Sequence, residues 1–237
     1  MAEWDNTIVM EMRLEEKGKI CYRKEQSYYR TNFLGITWEL PIIHRDTPII
    51  GGVYLGHSER EAIFVSHYSK ELRRLKEEAK KRASYNGNIQ REKILQGVFD
   101  TVSENIPPNK SNKAKVKEII TKHNPRPDGL LSIDTFIQEH AGTCRHQAIA
   151  CGALIELLNQ DEELKKINAY PGGKASIDRN RQRNSHCWAR YTSDGGLVTI
   201  LDVATRFFGI LNDALTQQMI ADEIIWPYNR PDEIYFL

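Results

Sequence analysis

The chain has 237 residues, with 33 Lys+Arg against 32 Asp+Glu and a formal net charge of +1. Hydrophobic residues make up 40% and charged residues 27%, which is enough apolar side chain for a core and excludes wholesale disorder. Near-neutrality argues against a dedicated nucleic-acid binder, which carries a basic excess, and no run approaches the ~20 consecutive apolar residues of a membrane span.

The first 19 residues mix acidic, basic and apolar side chains and lack the basic-then-apolar order of a secretory signal. Residues 20–68 carry Ile, Val, Tyr and Phe clusters broken by Pro41, Pro48, Gly51, Gly52 and Gly56, which predicts short strands at Gly52–Leu55 and Ala62–His67. Ser69 caps a charged helix that Asn86-Gly87 ends, and Ile94, Leu95, Val98 and Phe99 form one face of a second helix over 90–104. Pro107-Pro108 and Pro125 and Pro127 bracket a short basic helix. After residue 128, small and apolar residues concentrate. This divides the chain into an N-terminal extension or small subdomain, 1–84, and a functional core, 85–237. The four cysteines, Cys21, Cys144, Cys151 and Cys187, are too few for a disulfide scaffold of this length and read as reduced thiols of a cytoplasmic protein.

One segment carries chemistry. Gly142 and Thr143 supply a turn and an N-cap, so Cys144 falls in the first turn of a helix. Unpaired backbone N–H groups and the helix dipole stabilise a thiolate there, and the thiolate is the nucleophilic form. The helix is apolar nearly all round until Glu156, as a central buried helix is. Cys151, two turns in, reads as core, and His146 as a helix-surface or rim residue. Residues 171–186 carry Lys174, Arg179, Arg181 and Arg183 against Asp178. They read either as a solvated loop or as a lid or docking surface for a substrate with an acidic surface.

Two β-prone runs, Cys187–Tyr191 and Leu197–Asp202, flank Ser193-Asp194-Gly195-Gly196 and predict a hairpin. A three-residue loop with Gly195 left-handed pairs residue 192 with 196 and sets His186 directly opposite Asp202, so that the carboxylate orients the imidazole. A two-residue Asp194-Gly195 turn sends the two side chains to opposite faces instead. Cys187 alternates away from His186 and reads as core. Trp188 shares the His186 face, beneath the site or bordering the substrate. Cys144, His146, His186 and Cys187 are all zinc-ligand types, but their positions on a helix start and on adjacent strand residues point them apart. Neither metal nor cofactor is expected.

Gly-Thr-Cys-Arg-His-Gln-Ala at 142–148, His-Cys-Trp-Ala-Arg-Tyr at 186–191 and Leu-Asp-Val-Ala at 201–204 resemble the transglutaminase-like superfamily, within the papain-like group, in order and in spacing. The resemblance covers residues 130–210 and leaves the N-terminal third aside. It implies an α+β fold in which a central helix bearing the cysteine packs on an antiparallel sheet. It also implies Cys144 as nucleophile, His186 as general acid and base, and Asp202 as orienter. Gln138, six residues before Cys144, resembles the papain-type glutamine that stabilises an oxyanion. The sequence departs from the family where Val203-Ala204-Thr205 stand in place of Pro-Thr. The implied activity is cysteine-dependent attack on an amide of a protein or peptide through a thioacyl-enzyme. Water as acceptor gives proteolysis or glutamine deamidation, and an amine gives transglutamination. Hydrolysis is favoured because water needs no dedicated second site. The alternative is a non-catalytic transglutaminase-like module whose groove binds protein partners. Neither reading involves nucleic acid or membrane, and the sequence does not encode the oligomeric state.

Overall fold

The computed structural model describes residues 28–33, 36–43, 47–55, 61–108, 112–123, 130–180 and 186–230. The first elements are an antiparallel hairpin of β1 (Tyr28–Phe33) and β2 (Ile36–Pro41). Two short strands follow, β3 (Val53–Tyr54) and β4 (Ala62–Phe64), shorter than expected but at the expected places. The Ser69 hydroxyl accepts the Leu72 N–H at 3.0 Å and starts α1 (Lys70–Arg82). Asn86 and Gly87, both at positive φ (49° and 79°), form the turn of the β5 (Ser84–Tyr85) and β6 (Asn88–Ile89) hairpin. Left-handed backbone at both central residues is what such a turn demands. One 3₁₀ turn leads into α2 (Ile94–Asn105), and α3 (Asn112–His123) is the basic helix between the prolines.

The second half begins with β7 (Leu130–Ser132), which pairs parallel to β4, and the short α4 (Ile133–Gln138). The central helix α5 (Cys144–Asn159) and the short α6 (Glu162–Lys166) precede β8 (Lys174–Asn180), β9 (His186–Thr192), β10 (Val198–Asp202) and β11 (Phe207–Ile210). These four strands form one antiparallel meander, and α7 (Ala214–Ala221) is the last helix or strand of the described residues, which continue to Arg230. The architecture is α+β. Part of the basic stretch expected as a loop is thus a strand: residues 174–180 pair along their whole length with β9. The reason is its alternation, in which Ala175 and Ile177 bury on one face while Ser176 and Asp178 are held by polar partners on the other.

The sheet is buried on both sides. Ala175, Ile177, Cys187, Ala189, Tyr191 and Leu201 face α5 and join the main hydrophobic cluster. Trp188, Val198 and Ile200 form a second cluster with Leu211 and Tyr228 on the other face. Small residues let α5 lie close to its neighbours. A Cβ on Gly152 would come within 2.4 Å of Ile49 Cδ1 and 3.0 Å of Ile177 Cδ1. Glu156, where the apolar run ends, accepts the Ile49 and Ile50 N–H groups at 2.8 and 2.9 Å. Leu72, Leu75 and Ala79 share a cluster with Val98, Val102 and Leu154, so the packing shows no break at residue 84. Among the described residues, no helix is long and apolar enough to cross a membrane.

Candidate active site

The start of α5 is locked from below. The Thr143 N–H donates to His146 Nδ1 at 2.9 Å, a capping box with histidine in the usual Glu/Gln position. That bond leaves the ring proton on Nε2, which donates to Glu61 at 3.0 Å. Arg145 pairs with the same carboxylate oxygen. All three side chains are buried, and the Phe136 ring lies 3.9 Å from the His146 ring. Burial holds His146 below its ordinary pKa and therefore neutral. Burial pushes the Glu61 carboxyl up, but the bonds to His146 and Arg145 outweigh it and leave the group ionised. His146 is thus no surface or rim residue: the Glu61 contact draws it inside.

His186 and Asp202 meet, but not directly across the ladder. The hairpin pairs Thr192 with Val198 and Ala189 with Leu201, so the loop has five residues, and the left-handed glycine is Gly196 (φ 82°), not Gly195. Asp202 therefore falls level with Trp188, two residues past His186. A shift of two keeps both on one face, and diagonal neighbours remain within reach of an aromatic side chain. His186 Nε2 lies 2.6 Å from Asp202 Oδ2. The same oxygen accepts from the Tyr228 hydroxyl at 2.8 Å, and Asp202 Oδ1 accepts the Thr205 N–H at 3.2 Å. Trp226 lies 4.8 Å from the imidazole, and Trp188 lies 5.8 Å from it. Trp188, fully buried, packs beneath the imidazole and offers no surface to a substrate.

His186 Nε2 is engaged by Asp202, and the imidazole also interacts with the Cys144 side chain. Cys144 also accepts from the Cys187 thiol and backbone N–H. The Cys187 thiol, with the His186 contact, holds Cys144 well below the ordinary cysteine range against the opposing effect of burial. Burial lowers His186, but Asp202 and the thiolate raise it further, to about 9. The two shifts favour a thiolate paired with an imidazolium, in a site from which Cys144 remains partly exposed. Behind it, the Tyr54 hydroxyl lies 3.0 Å from Cys187 Sγ and donates to it. Cys187 does face away from His186, yet it is more than core: the α5 face is where the Cys144 sulfur sits.

Gln138 is exposed, and its amide donates to Glu71 at 3.2 Å, which does not support a place in an oxyanion site. Arg179 is a buried β8 residue rather than part of a solvated loop, and Arg181 and Arg183 lie outside the described residues. Sequence reading missed Tyr54, Glu61, Trp226 and Tyr228. The Trp-Pro-Tyr run at 226–228 was a visible signal. Tyr54 and Glu61 gave none, since Tyr54 lies in the short β3 and Glu61 just before β4, both far upstream. Among the described residues, no cluster of three or more His, Cys, Asp or Glu side chains could hold a metal. Comparison of the chain with family models, curated proteins and solved structures gives no match.

Proposed function

We propose that the protein is a cysteine-dependent enzyme of the transglutaminase-like kind that attacks an amide carbonyl of a protein or peptide. The observation that carries this reading is the continuous contact from the Cys144 sulfur through His186 to Asp202. Cys144 Sγ adds to the carbonyl carbon. The developing oxyanion meets the Cys144 backbone N–H, which has no intrahelical acceptor at the first helical position. His186 gives its proton to the leaving amine as the C–N bond breaks, forming a thioester. His186 then takes a proton from water, and the hydroxide adds to the thioester, breaking the C–S bond to release the acid and restore the Cys144 thiolate beside the His186 imidazolium. Hydrolysis is the favoured outcome, since water needs no second binding site.

Labelling with iodoacetamide at pH 6 tests the reading. Cys144 is expected to react much faster than Cys151 and Cys187, with the advantage lost in His186→Ala. Equal, slow labelling of all thiols would point to a non-catalytic binding module instead.

A further inference from the structure

Arg179 is 4% exposed, and neither its Nε nor its Nη1 has a hydrogen-bond partner among the described residues. Its neighbour Asp178 cannot serve it, because Asp178 points to the other face of β8, where Arg230 bonds it at 2.9 Å and Arg190 lies 3.6 Å away. Arg179 is the register partner of Cys187. Their Cβ atoms therefore lie about 5 Å apart on the α5 face. The guanidinium acts electrostatically on both the Cys187 thiol and the Tyr54 hydroxyl, and Cys187 touches the Cys144 sulfur. Arg145 also has open nitrogens, but its charge is met by Glu61. Among the described residues, Arg179 has no carboxylate within ion-pair distance.

A charge taken out of water without a partner is strongly unfavourable, and a guanidinium fork matches a carboxylate in planarity and spacing. We propose that Arg179 receives a carboxylate of the substrate, held beside the carbonyl that Cys144 attacks. One guanidinium flanked by neutral hydroxyl and thiol groups balances a single negative charge, which favours a carboxylate over a phosphate dianion. The proposal rests on the cysteine acyl chemistry above and names the substrate class of that site.

The test compares alkylation of Cys144 by iodoacetate and by iodoacetamide, each rate divided by that of glutathione. Arg179→Met is expected to lower the iodoacetate-to-iodoacetamide ratio at least tenfold while the iodoacetamide rate stays within threefold. Arg179→Lys, which keeps the charge, is expected to hold the ratio within threefold. Arg179→Met is also expected to melt at the same or a higher temperature, because it removes an uncompensated charge. A lower melting temperature with an unchanged ratio would make Arg179 a structural residue and overturn the proposal. If wild-type Cys144 reacts no faster than glutathione with iodoacetamide, the cysteine reading itself fails. If it reacts fast and the ratio ignores Arg179, only the carboxylate proposal fails. Protection by the α-amide of N-acetylglutamate would assign a side-chain carboxylate, and protection by N-acetylglutamine a chain terminus. Protection by neither counts against the proposal.

Discussion

His186 Nε2 reaches Asp202 Oδ2 at 2.6 Å across a two-residue offset in the β9–β10 ladder. The offset frees the ladder position opposite Asp202 for Trp188, so an indole rather than a second polar group packs under the imidazole. Tyr228 completes the enclosure: burial keeps its hydroxyl protonated, and it donates to Asp202 while accepting from Thr205. The carboxylate is thereby fixed, and through it the ring orientation that the thiolate needs.

The pH dependence follows from that pair. His186 is raised to about 9, from an ordinary value of about 6.5. Its contribution to stability is complete below about 6.5 and is lost as pH rises through about 9. In the proposed mechanism the imidazolium is the acid for the leaving amine, so kcat/KM for amide hydrolysis should fall on the alkaline side near pH 9. Asp202→Asn removes the carboxylate that raises the ring and should move this limb to lower pH. His186→Ala should cost roughly 10²–10⁴ in kcat. Stopped-time assays across pH 5–10 read both effects.

Cys187 is expected to tune the nucleophile rather than take part in bond making. Its thiol is the largest influence lowering Cys144. Cys187→Ala should shift the acid limb of Cys144 alkylation to higher pH, and Cys187→Ser, which keeps a donor, should leave it near the wild-type position. Thiolate absorbance near 240 nm, titrated in each variant, checks the order.

Glu61 holds two buried side chains at the helix start. Glu61→Ala leaves Arg145 uncompensated and should cost about 3–5 kcal/mol, lowering Tm by about 2–4 °C for each kcal/mol. His146 carries the opposite pH sign to His186. Its pKa is depressed by burial, so its contribution is present above about 6.5 and is lost as pH falls through the folded value. Calorimetry of the wild type and Glu61→Ala, with ¹H–¹⁵N titration of both imidazoles, distinguishes the two histidines.

Arg230 ties the segment bearing Trp226 and Tyr228 to the sheet through Asp178 and Ser176. Arg230→Ala strands a buried Asp178 with Arg190 3.6 Å away and should cost about 3–5 kcal/mol. Loosening of that segment should also slow Cys144 labelling, since Tyr228 would no longer hold Asp202. A red shift in tryptophan emission below the melting transition is the accompanying signal.

The sequence by itself determined the helix that begins at Cys144, because a Gly-Thr turn followed by small apolar residues leaves few alternatives, and it placed His186 and Asp202 on one face of a hairpin. Both are local properties: a cap, a periodicity, and a parity that survives a two-residue error in register. Tertiary structure decided what lies around the thiol. Tyr54 in β3 and Glu61 just before β4 lie 90 and 83 residues upstream of Cys144, and Tyr228 lies 26 residues after Asp202, so no local pattern links them to it. Arg179 shows the same limit. Its charge suggested a solvated loop, but pairing along the whole of β8 with β9 buried it, since those backbone hydrogen bonds and the apolar Ala175 and Ile177 on the same face set the strand's place regardless of one guanidinium.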